Sequence, residues 1–126
     1  MTGERILVVE DNAKNMKLFR DVLVATGYRT LEATTGSEAL DMASEHTPDL
    51  VLMDIQLPDL DGVQALHRLR ADARTAGIPV LALTAQAMQG DRERFLAAGF
   101  DGYLSKPVDV RELIGTVREH CGGGST

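Results

Sequence analysis

The sequence is poor in the residues that mark nucleic-acid-binding and membrane-associated proteins. Trp is absent, and aromatic residues make up only 4% of the 126 residues, which argues against a stacking platform for single-stranded nucleic acid. Acidic residues outnumber basic ones by 19 to 13, for a formal net charge of −6, so the chain lacks the basic stripe that a phosphate backbone requires. An anionic membrane surface would repel it. We therefore expect neither a direct nucleic-acid partner nor a membrane partner.

Cysteine and long apolar runs are equally scarce. Cys121 is the single cysteine, which excludes an intrachain disulfide and favours a reducing compartment. No run approaches the roughly eighteen apolar residues of a membrane-spanning helix, and the amino terminus lacks the apolar core of a signal peptide. We expect a cytoplasmic protein of one domain, which at 126 residues and 44% hydrophobic composition can form a core without metal or disulfide support.

The most informative stretch is Asp49–Gly62, which reads D-L-V-L-M-D-I-Q-L-P-D-L-D-G. Its short apolar run, Leu50–Met53, is typical of a strand buried on both faces of a parallel sheet. Asp54 follows that run at the carboxyl end, where open α/β sheets bind their ligands. A single Asp after a strand is more often a helix cap or a turn residue, so its role depends on the other strand ends.

The remaining pattern alternates strands with helices. The predicted strands are Arg5–Val9, Arg29–Ala33, Asp49–Met53, Val80–Leu83 and Asp101–Ser105, of which the second has one partly exposed face or lies at an edge. The predicted helices are 13–26, Gly36–Glu45, one capped by Asp61 and ended by Gly77, Gln86–Ala98, and one opened by Asp109. Five such βα units predict a parallel sheet covered by helices on both faces. Residues 1–121 form the predicted domain, and 122–126 (G-G-G-S-T) a flexible tail or linker.

Acidic residues follow two of these strands. Glu10 and Asp11 end the first, and Asp54 ends the third; parallel strands bring these ends to one edge. Three carboxylates in contact raise one another's pKa unless a cation lies among them, and oxygen ligands of this kind suit Mg²⁺. We expect Asp11 and Asp54 to bind the metal directly, Glu10 through water, and the backbone carbonyl of Gln56 to supply a further ligand.

The other strand ends carry phosphate-binding groups. Thr84 ends the fourth strand and Lys106 the fifth. The Lys106 ammonium, the Thr84 hydroxyl and the Ala85 amide are suited to the oxygens of a phosphoryl group, and Asp54 can serve as a nucleophile that forms an aspartyl phosphate. The set contains no obvious base to activate water, so the aspartyl phosphate should persist, which suits a signal better than turnover.

These residues stand in motifs that resemble those of response-regulator receiver domains. The motifs are V-V-E-D-N at 8–12, L-M-D-I-Q-L-P-D-L-D-G at 52–62, A-L-T-A at 82–85 and Y-L-S-K-P at 103–107. Asn12–Leu18 resembles stand-alone regulators of the DivK type and receivers fused to hybrid sensor kinases. The resemblance implies a flavodoxin-like fold with strand order 2-1-3-4-5. It also implies a bacterial signalling protein rather than an enzyme, phosphorylated on Asp54 by a sensor histidine kinase or a histidine phosphotransfer protein.

The resemblance implies further roles. Mg²⁺ is the expected cofactor, for which Mn²⁺ can substitute. Phosphorylation draws in Thr84 and turns Tyr103 inward, which changes the surface of the fourth helix, fifth strand and fifth helix for a downstream protein. The bond before Pro107 is expected to be cis. Gln56 and Gln86 occupy positions that tune dephosphorylation, and neither is a strong base, so unusually fast self-hydrolysis is not expected.

Three other protein classes share part of this pattern. A haloacid-dehalogenase-type phosphatase needs a second Asp two residues after the first, where Gln56 stands. A flavin-binding flavodoxin needs a phosphate loop after the first strand, where Glu10 and Asp11 would repel phosphate. The third is a pseudo-receiver, an interaction module that is not phosphorylated. The histidines are interpreted as surface residues away from the acids, which argues against zinc; they are His46, His67 and His120.

Overall fold

The computed structural model describes residues 3–85 and 91–121. Its strands are β1 Arg5–Val9, β2 Arg29–Ala33, β3 Leu50–Asp54, β4 Val80–Thr84 and β5 Gly102–Ser105. Its helices are α1 Ala13–Ala25, α2 Gly36–His46, α3 Gly62–Ala71, α4 Asp91–Ala98 and α5 Val110–Cys121. The predicted alternation of strands and helices is therefore confirmed.

The five strands form one parallel sheet in the order β2-β1-β3-β4-β5. This is the flavodoxin-like order that the resemblance implied. β2 lies at an edge, which explains why its sequence is less apolar than that of β3 or β4. Because all strands run in the same direction, their carboxyl ends share one edge of the sheet.

Each face of the sheet packs against its own group of helices. On one face, Val51 and Met53 lie in a buried cluster with Ala39 of α2, Leu66 of α3 and Phe95 of α4. On the opposite face, alternate strand residues pack with the inner sides of α1 and α5; these buried residues are Ile6, Val8, Leu50, Leu52, Leu81, Leu83, Leu104, Met16, Phe19, Leu23, Leu113 and Val117. The alternation within each strand divides the core between the two faces.

Side-chain caps define where the helices begin. Asn12, Thr35 and Asp61 accept hydrogen bonds from backbone amides three residues on, at 3.0, 3.1 and 2.8 Å. Asp109 likewise accepts from the amides of residues 111 and 112, at 2.8 and 3.2 Å. Such caps satisfy amides that have no partner within the helix. The predicted caps at Asp61 and Asp109 are confirmed.

The predicted end of the third helix was wrong. Gly77 was expected to end it, but α3 ends at Ala71 and a turn follows. The buried hydroxyl of Thr75 donates to the Leu69 carbonyl at 2.6 Å, and the Arg70 guanidinium donates to the Ala76 carbonyl at 3.0 Å. These side-chain bonds satisfy carbonyl groups that a continued helix would otherwise have used, so the chain leaves the helix before the glycine.

Other observed strand boundaries differ from the predicted ones by one residue. β3 begins at Leu50 rather than Asp49 and includes Asp54, and β5 begins at Gly102 rather than Asp101. The fourth helix was predicted from Gln86, which lies outside the described residues, as does the predicted tail 122–126. Within 3–85 and 91–121, no helix is both long and apolar enough to span a membrane.

Candidate functional site

The carboxyl edge of the sheet brings three acidic residues together. Glu10 follows β1, its amide donates to the Ala33 carbonyl at 3.0 Å, and its side chain is buried. Asp54 closes β3 and is also buried, whereas Asp11 is exposed. Carboxylate oxygens of the three residues lie within 4.8 Å of one another. The sequence predicted this convergence from the strand ends.

Lys106 enters the acidic group from the far side of β4. Its backbone amide donates to the Thr84 carbonyl at 2.8 Å, which extends the β4–β5 ladder and places Lys106 beside the end of β4. Its Nζ lies 2.8 Å from Oδ2 of Asp54 and 2.7 Å from Oε1 of Glu10. The ammonium therefore contacts two carboxylates, Glu10 and Asp54, that are 44 residues apart in the chain.

Burial and the acidic neighbours govern the charge states. Burial raises the pKa of Glu10, and repulsion from Asp54 adds to this, although Lys106 and the Asn12 amide oppose it. Burial also opposes the charge on Lys106, but its interactions with Asp54 and Glu10 are stronger and raise the pKa of Lys106. The site thus holds a charged Lys106 beside Glu10, whose ionised form is disfavoured by burial.

The loop after β3 is held against the acidic residues. Oδ1 of Asp54 accepts the amide of Gln56 at 2.9 Å, and the amide of Ile55 donates to the Leu83 carbonyl at 3.0 Å. The Gly62 amide then returns to the Ile55 carbonyl at 2.8 Å. These bonds close the loop between β3 and α3 and keep the Gln56 backbone at the edge of the acidic group.

An open cleft of about 430 Å³ lies over these groups. The predicted site residues that line it are Glu10, Asp11, Asp54, Gln56, Thr84, Ala85 and Lys106. The cleft is also lined by residues for which the sequence predicted no site role, namely Asn12, Asn15, Ile55, Leu57, Pro58, Arg94 and Phe95. The N-x-x-N spacing at Asn12 and Asn15 was a usable signal for the first two, whereas Arg94 and Phe95 reach the cleft from α4 without any local pattern.

Tyr103 is not among the described residues that line this cleft. It is half-buried, and its ring centroid lies 6.1 Å from that of Phe95. It lines a groove between β5 and the helices α4 and α5, together with Leu96 and Glu112. Phe95 lines the cleft and contacts Tyr103, so it connects the two regions. The Lys106–Pro107 peptide bond is cis.

The donor set fits a hard divalent cation. Its side-chain groups are carboxylates, the ligands that Mg²⁺ prefers. Oε1 of Glu10 is buried and has no hydrogen-bond partner in the described part of the chain, although Lys106 forms an ion pair with it. Burial, and to a lesser extent repulsion from Asp54, raises the pKa of Glu10, and a dication would favour the ionised carboxylate against both. Burial, charge and ligand type therefore agree with magnesium.

Comparison with known proteins identifies the class. The family model of the response regulator receiver domain matches residues 6–118. The chain belongs to this family, and it is therefore a two-component signalling protein rather than a classical enzyme. Receiver domains interact with histidine kinases or phosphotransfer proteins and with downstream targets, and they bind Mg²⁺ in the acidic pocket.

Individual proteins of this family are similar to the chain in sequence and in structure. The polar-differentiation response regulator DivK of Brucella ovis is 49% identical over 117 residues, covering 93% of this chain and 95% of the relative. The receiver domain of the sensor histidine kinase PA1611 from Pseudomonas aeruginosa, described with magnesium in its active-site cleft, matches with a TM-score of 0.88 and 39% identity, covering 97% of this chain and all of that one. A response regulator from Chloroflexus aurantiacus matches with a TM-score of 0.90 and 30% identity, covering 96% and 99%. The chain is thus a DivK-like receiver.

Proposed function

We propose that the protein is a Mg²⁺-dependent phosphoacceptor that receives a phosphoryl group on Asp54 from a phosphohistidine. The observation that carries this proposal is the contact of Lys106 with both Asp54 and Glu10 in a cleft also lined by Thr84. A carboxylate nucleophile, a cation and a hydroxyl are thereby placed around one volume. Phosphoryl transfer depends mainly on such positioning and charge stabilisation.

Asp11, Asp54 and the Gln56 carbonyl are the proposed metal ligands, with Glu10 acting through water. Magnesium supplies positive charge beside the transferred group when it is bound, and Mn²⁺ is the proposed substitute. In the transfer, a carboxylate oxygen of Asp54 forms a bond to phosphorus as the bond from phosphorus to the histidine nitrogen breaks. The imidazole nitrogen keeps the electron pair of that bond and, because the other ring nitrogen of the phosphohistidine carries a proton, the donor histidine leaves as neutral imidazole.

Lys106, the Thr84 hydroxyl and the Ala85 amide are the proposed phosphoryl-binding groups. The Lys106 pKa is raised, so its ammonium remains charged at neutral pH and can move from the Asp54 oxygen to a phosphoryl oxygen. Thr84 is buried at the end of β4, and Ala85 is exposed at the cleft. Charge-assisted hydrogen bonds of this kind are about twice as strong as neutral ones.

The proposed output is a change on the surface formed by α4, β5 and α5. Movement of Thr84 towards the phosphoryl group lets Tyr103 turn inward past Phe95, with which it is already in contact. Reversal of a 1:99 ratio of the two states requires about 5.5 kcal/mol of differential stabilisation. Several charge-assisted hydrogen bonds can supply that amount.

The proposed donor is a sensor histidine kinase or a histidine phosphotransfer protein, and the reader of the switch is a downstream protein. The similarity to DivK and to a kinase-linked receiver supports these partners. The −6 charge argues against direct nucleic-acid binding. The proposed location is the bacterial cytoplasm, where a single unpaired cysteine stays reduced, and the proposed domain covers residues 1–121.

The test is intact mass after incubation with a small acyl-phosphate donor, with and without Mg²⁺. Wild type and Asp41→Asn, a control at an exposed acid on α2, should each gain one phosphate only with Mg²⁺. Asp54→Asn should gain none. If folded wild type gains no phosphate, or if Asp54→Asn gains the same adduct, the proposal is wrong, and in the former case the unphosphorylated interaction module is the better description.

A further inference from the structure

We propose that Asp59 is a positioning residue for the magnesium site. It ties the loop between β3 and α3 to the amino end of α2 and thereby holds the Gln56 carbonyl where a metal can use it. This inference rests on the proposed function, because it assumes that the acidic cleft binds Mg²⁺.

The tie consists of two short hydrogen bonds. Oδ1 of Asp59 accepts the amide of Gly36 at 2.7 Å, and Oδ2 accepts the amide of Ser37 at 2.9 Å. Gly36 and Ser37 are the first two residues of α2, so their amides have no partner within the helix. The positive end of the helix dipole also favours a carboxylate there.

The same helix already has a cap of its own. The Thr35 hydroxyl accepts the amide of Glu38 at 3.1 Å, which leaves the amides of Gly36 and Ser37 to Asp59. Asp59 lies 22 and 23 residues further along the chain. Its bonds therefore complete the capping of α2 and at the same time fix the position of a loop that is distant in the chain.

Leu60, the residue after Asp59, also contacts the amino end of α2. A Cβ atom added to Gly36 would lie 2.9 Å from the Cβ atom of Leu60, so the loop packs directly on the helix backbone. Leu60 also packs against the buried cluster on this face of the sheet. Two consecutive loop residues thus dock on the start of α2, one through charge and one through packing.

The loop between these anchors contains the proposed ligand. Its first anchor is the end of β3, where Asp54 accepts the Gln56 amide and Ile55 donates to β4. Its second anchor is the contact of Asp59 with α2. Gln56, Leu57 and Pro58 span the interval and line the cleft. Loss of the second anchor leaves the Asp54–Gln56 and Gly62–Ile55 bonds in place but removes the support on the Asp59 side, so the Gln56 carbonyl is held less firmly while Asp54 stays on its strand.

The bonds to the Ser37 and Gly36 amides hold the pKa of Asp59 below its ordinary value. The carboxylate is therefore fully ionised at neutral pH and accepts both amides at once. An asparagine side chain has only one carbonyl oxygen to accept with, so Asp59→Asn can keep one of the two bonds.

The experiment measures the Mg²⁺ dissociation constant by calorimetry and the rate of phosphorylation by an acyl phosphate as a function of Mg²⁺. We expect Asp59→Ala to weaken Mg²⁺ binding by about tenfold, as groups that orient metal ligands commonly do. Saturating Mg²⁺ should restore its phosphorylation rate, and Asp59→Asn should give an intermediate dissociation constant. Thr35→Ala is the matched control, because it removes a cap from the same helix end that is bonded to Glu38 within α2 and not to Asp59.

A purely structural role predicts that Thr35→Ala and Asp59→Ala weaken Mg²⁺ binding in proportion to their loss of thermal stability, and that result would overturn the inference. Wild-type affinity in folded Asp59→Ala would overturn it as well. Should Asp59→Ala fail to fold, Asp59→Asn, which can keep only one of the two bonds, decides in the same way. If the wild type binds no Mg²⁺, the proposed function fails first, so the two failures are distinguishable.

Discussion

The Nζ atom of Lys106 lies 2.8 Å from Oδ2 of Asp54, although one residue follows β5, the other ends β3, and the whole of β4 separates the two strands. The ammonium donates a hydrogen bond to a carboxylate oxygen of Asp54. A phosphoryl group on Asp54 must either share the ammonium with that oxygen or replace the oxygen as its partner. It also contributes positive charge to the cleft proposed for Mg²⁺. We therefore predict that this one side chain affects metal binding and phosphoryl transfer in opposite directions.

Replacement of Lys106 by Met should separate these two effects. A unit charge about 4 Å from another contributes about 1 kcal/mol even at the dielectric constant of water, and a dication doubles that. Lys106→Met should therefore bind Mg²⁺ about thirtyfold more tightly by calorimetry, while its phosphorylation by an acyl phosphate slows. Arg111→Met, an exposed control on α5, should change neither quantity, and weaker Mg²⁺ binding by Lys106→Met would contradict the prediction.

Thr84→Ala should accept phosphate on Asp54 but fail to move Tyr103. The chain contains two tyrosines, so fluorotyrosine labelling gives two ¹⁹F signals, and Tyr28→Phe assigns them. In wild type the Tyr103 signal should shift on phosphorylation while that of Tyr28, on the opposite face of the sheet, serves as the internal reference. An equal shift of the Tyr103 signal in phosphorylated Thr84→Ala would show that Thr84 does not transmit the change.

Replacement by alanine should lower the free energy of unfolding at Gly62 and raise it at Gly115. A Cβ atom at Gly62 would lie 2.8 Å from the Asp54 carbonyl oxygen and 2.9 Å from Cα of Ile55. Since backbone atoms cannot move aside cheaply, Gly62→Ala should lower the free energy of unfolding by about 1–3 kcal/mol. At Gly115, inside α5, an added Cβ atom would meet no described atom within 4 Å beyond its own helix backbone and chain neighbours, and Gly115→Ala should raise the free energy of unfolding by about 0.5–1 kcal/mol. Urea denaturation measures both changes.

Cys121 should be a slow nucleophile in the folded protein. Burial, together with the carboxylates of Glu4 and Asp49, raises the pKa of its thiol to about 11. The neutral thiol is therefore favoured, and at pH 8 the thiolate fraction is about a hundredfold lower than for an ordinary cysteine. Its alkylation rate by iodoacetamide should keep rising with pH towards 11. In urea the rate should level off near the pKa of an ordinary thiol, and identical profiles in both states would refute the prediction.

The sequence alone was sufficient for the fold and for most of the site. Apolar runs followed at once by polar residues located the ends of the strands, because a buried parallel strand must be apolar and its end must leave the sheet. Once the strands were taken as parallel, the approach of Glu10, Asp54 and Lys106 to one another followed from topology alone. The helix caps at Asp61 and Asp109 could also be predicted from the sequence, because a cap depends on residues only three or four positions apart.

Tertiary structure decided what depends on contacts between distant parts of the chain. The end of α3 was set by the side-chain bonds of Arg70 and Thr75 rather than by the glycine that the local pattern favoured. The contact of Phe95 with Tyr103 and the bonds from Asp59 to the start of α2 have no local signal. Periodicity reports which side of an element is buried, but only packing determines which neighbour covers it.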